Sequence, residues 1–152
     1  MRLLKQVKTL WIVTLLFLFA ACSTGHRIED VDSTVSQIKS TLISFFRGNI
    51  AESRQESREM ITQPFRPRIA AGRVEKSRES DELRVVARIR IIGNEKPYVL
   101  DVSAEIEERS PDGRAWASRG PDKRLAKQLS EAIQEYLQKN RNKNLIDHFR
   151  AF

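Results

Sequence analysis

The stretch Leu83-Arg-Val-Val-Ala-Arg-Ile-Arg-Ile-Ile92 alternates apolar with mostly basic side chains. A second alternating stretch, Tyr98-Val-Leu-Asp-Val-Ser-Ala-Glu-Ile106, follows after the polar residues Gly93-Asn-Glu-Lys96. A period of two places successive side chains on opposite faces of a strand. The two stretches therefore predict an antiparallel hairpin with one apolar face and one charged face.

The register of this hairpin follows from centring its turn on Asn94 and Glu95. A one-residue slip would move every apolar side chain to the wrong face, so we expect one register to satisfy both faces. The predicted apolar pairs are Ile91 with Tyr98, Ile89 with Leu100, Ala87 with Val102, Val85 with Ala104 and Leu83 with Ile106; the predicted polar pairs are Arg88 with Asp101 and Arg84 with Glu105.

Two further strands are predicted around the hairpin. Ser110-Pro-Asp-Gly113 is a turn signal, and in its predicted register Ser110 pairs with Arg114 and Ile106 with Ser118. Trp116 would then share the apolar face of the sheet. Ahead of the hairpin, Arg68 to Lys76 is a less regular candidate for a first strand.

Apolar residues with helical spacing flank the sheet on both sides. On the N-terminal side, spacings of three and four predict a helix over 28–47 with Gly48 as C-cap. A second helix is expected to begin at Gly120-Pro121 and to continue to about residue 139. Residues 48–67 are highly charged and are expected to be a connection, either mobile or partly helical. The first stripe consists of Ile28, Val31, Val35, Ile38, Leu42 and Phe45.

These elements predict the fold class. An amphipathic sheet and two amphipathic helices bury their apolar sides by packing as layers. We therefore expect one α+β domain over 28–152: a two-layer sandwich of a three- or four-stranded antiparallel sheet with the N- and C-terminal helices on one face.

The N-terminus has the features of a cleaved signal. Arg2, Lys5 and Lys8 precede an apolar run over 10–19, and Ala20-Ala21-Cys22 follows it. The run is shorter than the roughly 20 residues that a membrane span needs. Cys22 is the chain's single cysteine. This segment resembles the lipobox of bacterial lipoproteins, although Phe19 stands where that family prefers an aliphatic residue.

The resemblance implies a lipid anchor. The signal, residues 1–21, would be removed, and Cys22 would carry a diacylglyceryl group with a further acyl chain, such as palmitate, on its new amine. Residues 22–27 would form the acylated cysteine and a tether. Ser23 is not the aspartate typical of inner-membrane retention, so we expect the outer membrane, facing the periplasm, if the host has two membranes. The mature chain would carry 24 basic and 20 acidic side chains.

Arginines on the outward sheet face are the candidate binding residues. Arg84, Arg88 and Arg90 alternate along one strand, and Arg73 belongs to the approach strand together with Arg66, Arg68 and Arg78. They could bind an anionic lipid or glycan. Alternatively, Arg84 and Arg88 are used in cross-strand ion pairs. Arg90 faces Val99 in the predicted register and has no partner, which makes it the best single candidate.

Catalysis is not expected. His26 and His148 lie near opposite ends of the mature chain, so no nucleophile–base pair, metal site or cofactor site is predicted. We expect no nucleic-acid partner, because a secreted, acylated protein rarely meets RNA. Phe65, Phe149 and Phe152 lie in irregular or end segments, where an aromatic residue either docks a partner or covers the edge of the core.

Residues 83–138, with Asp112-Gly113-Arg114-Ala115-Trp116 between strand and helix, resemble small outer-membrane lipoproteins that assist envelope assembly. This resemblance implies a non-catalytic adaptor or scaffold with a protein partner in the envelope. The alternative is a binding module for an anionic envelope lipid or glycan that uses the arginine-rich sheet face. The sequence leaves the partner and the oligomeric state open.

Overall fold

The central feature of the fold is the predicted hairpin. The computed structural model describes residues 25–53, 58–70 and 73–150. The first hairpin strand spans Leu83–Ile92 and the second spans Tyr98–Arg109, and they pair antiparallel. Their apolar side chains face one layer, as predicted, and most of them are fully buried.

The register of the hairpin is two residues away from the predicted one. Ile91 lies opposite Leu100 instead of Tyr98, and Arg90 lies opposite Asp101. The loop between the strands is five residues long, which displaces one strand along the other. Because side chains alternate with a period of two, a two-residue shift leaves the same residues in the core. The predicted register was therefore wrong, whereas the predicted core face of the hairpin was right.

In the described part of the chain, the sheet has eight antiparallel strands, not three or four. The strands are β1 His26–Val31, β2 Ile50–Ser53, β3 Glu59–Thr62, β4 Phe65–Ala70, β5 Arg73–Lys76, β6 Leu83–Ile92, β7 Tyr98–Arg109 and β8 Trp116–Pro121. Each of the two long strands, β6 and β7, pairs on its outer edge with two short strands that lie one after the other. β1 and β8 pair with β7, whereas β3 and β4 pair with β6; β2 extends the sheet beyond β3, and β5 extends it beyond β4.

The N-terminal helix is shorter than predicted. Helix α1 spans Val35–Phe45 and begins after Thr34, which forms a capping box with Gln37. The first residues of the supposed helical stripe belong to β1, so the predicted tether over 22–27 also overlaps this strand. Ile28 and Val31 are both buried because the register of β1 shifts between them, at Asp30 with φ +57°. This bulge gives a strand the three-residue spacing of a helix.

Residues 48–67 contain regular strands instead of a helix or an unstructured connection. β2 and β3 form a hairpin there, and β4 begins at Phe65. Residues 54–57 lie outside the described part of the chain. Met60 and Thr62 of β3 are buried, so this charged segment contributes to the core on alternate positions.

The C-terminal helix is longer than predicted. Helix α2 spans Lys123–Arg150 and continues through the polar stretch at which we expected it to end. Pro121 ends β8 and is not in the first helical turn. Asp122 caps the helix instead, because its carboxylate accepts a hydrogen bond of 2.8 Å from the backbone N–H of Leu125.

The helices and the sheet share one core. Helix α2 lies over β7 and β1, and α1 packs against α2 through an edge-to-face contact of Phe45 with Tyr136. The α+β class with an antiparallel sheet and two helices is confirmed. The number of strands and the placement of the helices differ from the prediction. Among the residues described, no helix has the length and apolarity needed to cross a membrane.

Candidate functional site

The three arginines of β6 project from the outer sheet face, as predicted, but their partners differ from the predicted ones. Arg90 forms an ion pair with Asp101, so the expectation that Arg90 has no partner was wrong. Each arginine has its own carboxylate on this face. Arg88 lies 3.4 Å from Glu59 of β3, and Arg84 lies 2.5 Å from Glu107 of β7. The pairings of Arg88 with Asp101 and Arg84 with Glu105 were wrong because of the two-residue shift.

Asp101 is the most enclosed of these carboxylates. Only 5 % of its side chain is exposed, and among the described residues its Oδ1 atom has no hydrogen-bond partner. Gly25 covers it so closely that a Cβ atom on Gly25 would lie 2.4 Å from that oxygen. A buried carboxylate is costly without a counterion. Arg90 therefore has a structural role, because it neutralises Asp101.

We expect Arg90→Ala to lower the free energy of unfolding by about 1–3 kcal/mol, because the substitution leaves a buried carboxylate without its charged donor. The matched control is Arg88→Ala, on the same strand and face. The two arginine side chains are equally exposed, at 58 and 57 %, but the carboxylate of Glu59 is 36 % exposed. A surface ion pair of that kind contributes at most about 1 kcal/mol. Chemical denaturation measures both values, and equal losses would contradict this assignment.

A second group of cations lines an open cleft at the other end of the hairpin. The cleft lies between the 77–82 loop and the turn that joins β7 to β8. Its volume is about 420 Å³. Its basic and aromatic side chains are Lys76, Arg78, Arg84, Arg109, Arg114 and Trp116.

Trp116 lines this cleft and does not share the apolar face, so that prediction was wrong. It lies opposite Arg109 in the ladder, and the guanidinium of Arg84 is 4.1 Å from the centre of its ring. The cause is a one-residue difference in the turn: the N–H of Ser110 binds the carbonyl of Ala115 instead of pairing with Arg114. An odd shift reverses the faces of a strand. Trp116 is therefore half-buried under a cation instead of in the core.

Hydrogen bonds to backbone carbonyls hold Arg109 in the lining of the cleft. Its Nε–H donates to the carbonyl of Gly113 over 3.0 Å, and its Nη1 donates to the carbonyl of Glu79 over 2.5 Å. Both acceptors are neutral, so the charge of Arg109 remains uncompensated by these bonds. The same bonds connect the two loops that form the walls of the cleft.

The 77–82 loop is fixed by an ion pair from β4. Arg66 donates two hydrogen bonds to Asp81, from Nε to Oδ2 over 3.0 Å and from Nη2 to Oδ1 over 3.1 Å. Asp81 also accepts a 2.7 Å hydrogen bond from the backbone N–H of Arg78. Arg66, with these backbone and side-chain donors, holds the pKa of Asp81 below its ordinary value.

We expect Arg66→Gln to raise the pKa of Asp81 towards its ordinary value, because the largest cause of the depression is the hydrogen bond from Arg66. A depressed carboxylate pKa stabilises the fold above the ordinary pKa, and this contribution is lost as the pH falls through the lowered pKa. The difference in the free energy of unfolding between Arg66→Gln and the chain with Arg66 should therefore vanish in acid. A carboxyl NMR titration measures the shift.

Asp112 is the control within the same titration. The hydroxyl of Ser110 and the backbone N–H of Arg114 hold its pKa down, and neither involves Arg66. The pKa of Asp112 should stay unchanged in Arg66→Gln. An unchanged pKa of Asp81 in that variant would contradict the interpretation.

The remaining predicted site residues lie elsewhere. Cys22 and the whole signal segment lie outside the described residues, so acylation stays a prediction. Arg73 begins β5 opposite Ala70, away from the arginines of β6. In the part of the chain that the structure describes, no group of three or more histidine, cysteine or carboxylate side chains is arranged to hold a metal ion.

The cleft residues Lys76, Arg109 and Arg114 were not singled out from the sequence, although Arg78 was noted. The sequence contains a signal for two of these residues. Arg109 and Arg114 flank the Ser110–Gly113 turn, and a hairpin brings such flanking residues together. The approach of the 77–82 loop to this turn has no equivalent local signal.

The comparisons with known proteins add no relative: no family model matches the chain, and neither a curated protein nor a solved structure does.

Proposed function

We propose that this chain is a lipid-anchored protein of the cell envelope, acylated on Cys22, that acts as a non-catalytic adaptor or scaffold. The features of residues 1–22 support the anchor. The outer membrane, facing the periplasm, is the proposed location if the host has two membranes. The work of the folded body would be non-covalent contact with a protein partner.

The observation that carries the adaptor function is the contact of Gly25 with the sheet. Gly25 packs against Asp101 and the backbone of Val102, and β1 begins at the next residue. Three residues of extended chain span at most about 11 Å. A lipid on Cys22 would therefore keep the sheet close to the bilayer surface, within the reach of these three residues. Such fixed presentation suits a protein that positions a partner.

The alternative of anion binding through the arginine-rich sheet face has weaker support. Arg84, Arg88 and Arg90 each contact a carboxylate, so their charges are largely compensated where they stand. Arg90→Ala cannot separate the two functions, because the substitution also affects the buried Asp101.

Intact-mass measurement of detergent-extracted, affinity-purified protein tests the proposal. The expected mass begins at Cys22 and includes a diacylglyceryl group and an N-linked acyl chain, and an envelope protein should co-purify in a fixed ratio. An unacylated chain that retains Met1 and is found in the cytosol would overturn it.

A further inference from the structure

We propose that the basic cleft between the 77–82 loop and the β7–β8 turn is a binding site for a phosphorylated ligand. Five cationic side chains line the cleft, and Glu79 is the only carboxylate among the lining residues, all of which the structure describes. Glu107 compensates Arg84 from beside the cleft. The excess of positive charge is therefore about three. This inference does not depend on acylation of Cys22.

The cations of the cleft are available to a ligand. Arg78 and Arg114 are exposed, and within the described residues neither side chain contacts a carboxylate. Arg109 is held in place by backbone carbonyl acceptors, which are neutral and do not compensate its charge. A guanidinium binds phosphate oxygens through paired, charge-assisted hydrogen bonds. Three such groups around one cleft match a ligand that carries at least two negative charges, such as a phosphomonoester or a pyrophosphate.

Trp116 extends the site beyond simple charge attraction. Its ring lines the cleft under Arg84 and offers an apolar surface next to the cations. An aromatic wall beside guanidinium groups suits an organic phosphate, whose non-phosphate part can pack on the ring. The aromatic ring also makes the site visible by fluorescence.

The cleft and the proposed anchor lie at opposite ends of β7. Asp101 contacts Gly25, whereas Arg109 stands eight residues further along the same strand. At about 3.3 Å per residue the separation is about 26 Å, more than twice the reach of the three residues after Cys22. The phosphate can belong to a soluble ester or to a lipid headgroup, since both present the same chemistry to the cleft.

A fluorescence titration of the full-length chain in non-ionic detergent tests the site. Trp11→Phe is introduced first, so that Trp116 is the only tryptophan whether or not residues 1–21 are removed. One arm uses sodium pyrophosphate. The other arm uses dihexanoyl phosphatidic acid, a short-chain lipid, added below its micelle concentration. A response to pyrophosphate alone indicates that the phosphate of the ligand comes from a soluble ester. A response to the lipid alone indicates a lipid headgroup. Either response, or a response to the two probes, supports the site.

The decisive variant is Arg78→Gln/Arg114→Gln, which we expect to weaken binding about a hundredfold, because two charge-assisted contacts are lost. The matched control is Lys123→Gln/Arg124→Gln at the exposed start of α2, which removes the same charge outside the cleft. The control should change affinity by less than about twofold. Arg78→Lys/Arg114→Lys should fall between the two, since lysine keeps the charge and loses the paired geometry.

Equal weakening by the two glutamine variants would overturn the proposal, because it would indicate general charge attraction. Absence of any response to both probes at about 10 mM would also overturn it, since specific phosphate sites bind far more tightly. If the glutamine variant unfolds, arginine Nε–H NMR signals of the Trp11→Phe chain provide the test. The signals of Arg78, Arg109 and Arg114 should shift on addition of the probe, and unmoved signals would reject the site.

Discussion

Cys22→Ser is expected to abolish both acylation and cleavage of the chain. The serine hydroxyl is not the thiol that would receive the diacylglyceryl group, and in the bacterial lipoproteins that this segment resembles the signal is cleaved after the cysteine has been modified. The intact mass of this variant should therefore include residues 1–21 and lack the mass of the lipid. The neighbouring Ser23→Ala is the matched control, and it should be acylated and cleaved like the chain without substitutions.

The anchoring effect itself is measured by a second change. Replacing residues 1–22 by a secretory signal without a lipobox should move the protein from the membrane fraction to the soluble fraction. Each buried methylene contributes about 0.8 kcal/mol, and two or more chains make attachment stable where one does not. We expect a shift from almost fully bound to almost fully free. If the masses of Cys22→Ser and of the chain with Cys22 differed only by the replacement of sulfur by oxygen, the lipid anchor would be contradicted. The proposal of a phosphate site would be unaffected.

Phe65→Ala should lower the free energy of unfolding by about 3–5 kcal/mol, the usual cost of removing a buried phenylalanine. Phe65 is fully buried, and its ring centre lies 5.9 Å from that of Phe46, the residue that follows α1. It also begins β4 opposite Val85 of β6. Its loss would leave a cavity where the sheet meets the first helix. Small domains have only about 5–15 kcal/mol of stability in total, so the variant should be close to unfolding.

Two variants provide the comparison for Phe65→Ala in chemical denaturation. Phe65→Leu keeps most of the volume and should cost about 1.5 kcal/mol. Ile43→Ala removes a side chain that is 42 % exposed, and its cost should stay within about 0.5 kcal/mol. An unchanged denaturation midpoint for Phe65→Ala would contradict the core assignment and revive the interpretation of Phe65 as a partner-docking residue.

An adaptor with a phosphate site would combine two kinds of contact. The contact of Gly25 with the sheet suits presentation of the body near a bilayer, while the cleft of Arg78, Arg109 and Arg114 is at the far end of β7. Failure of the Cys22 experiments would remove the anchor, and failure of the cleft titration would remove the ligand site. The two proposals therefore stand or fall separately.

The apolar spacing at the start of the folded body is typical of a helix but belongs partly to a strand. Ile28, Val31 and Val35 follow helical spacing, yet the first two belong to a bulged strand and only the third to α1. The capping box of Thr34 and Gln37 is the local signal that marks the true helix start. Burial periodicity indicates which side chains are inside, but it does not distinguish a helix from a strand whose register shifts.

The core face of the central hairpin follows from sequence alone, because any even shift of β6 against β7 buries the same alternating residues. Tertiary structure is needed for everything that depends on the size of the shift. The two-residue difference in register makes Arg90, instead of Arg88, the partner of Asp101. The one-residue difference at β8 places Trp116 in the cleft instead of the core. The cleft itself joins Lys76 and Arg78 to Arg109 and Arg114. These pairs come from segments about thirty residues apart, and no local periodicity encodes their meeting.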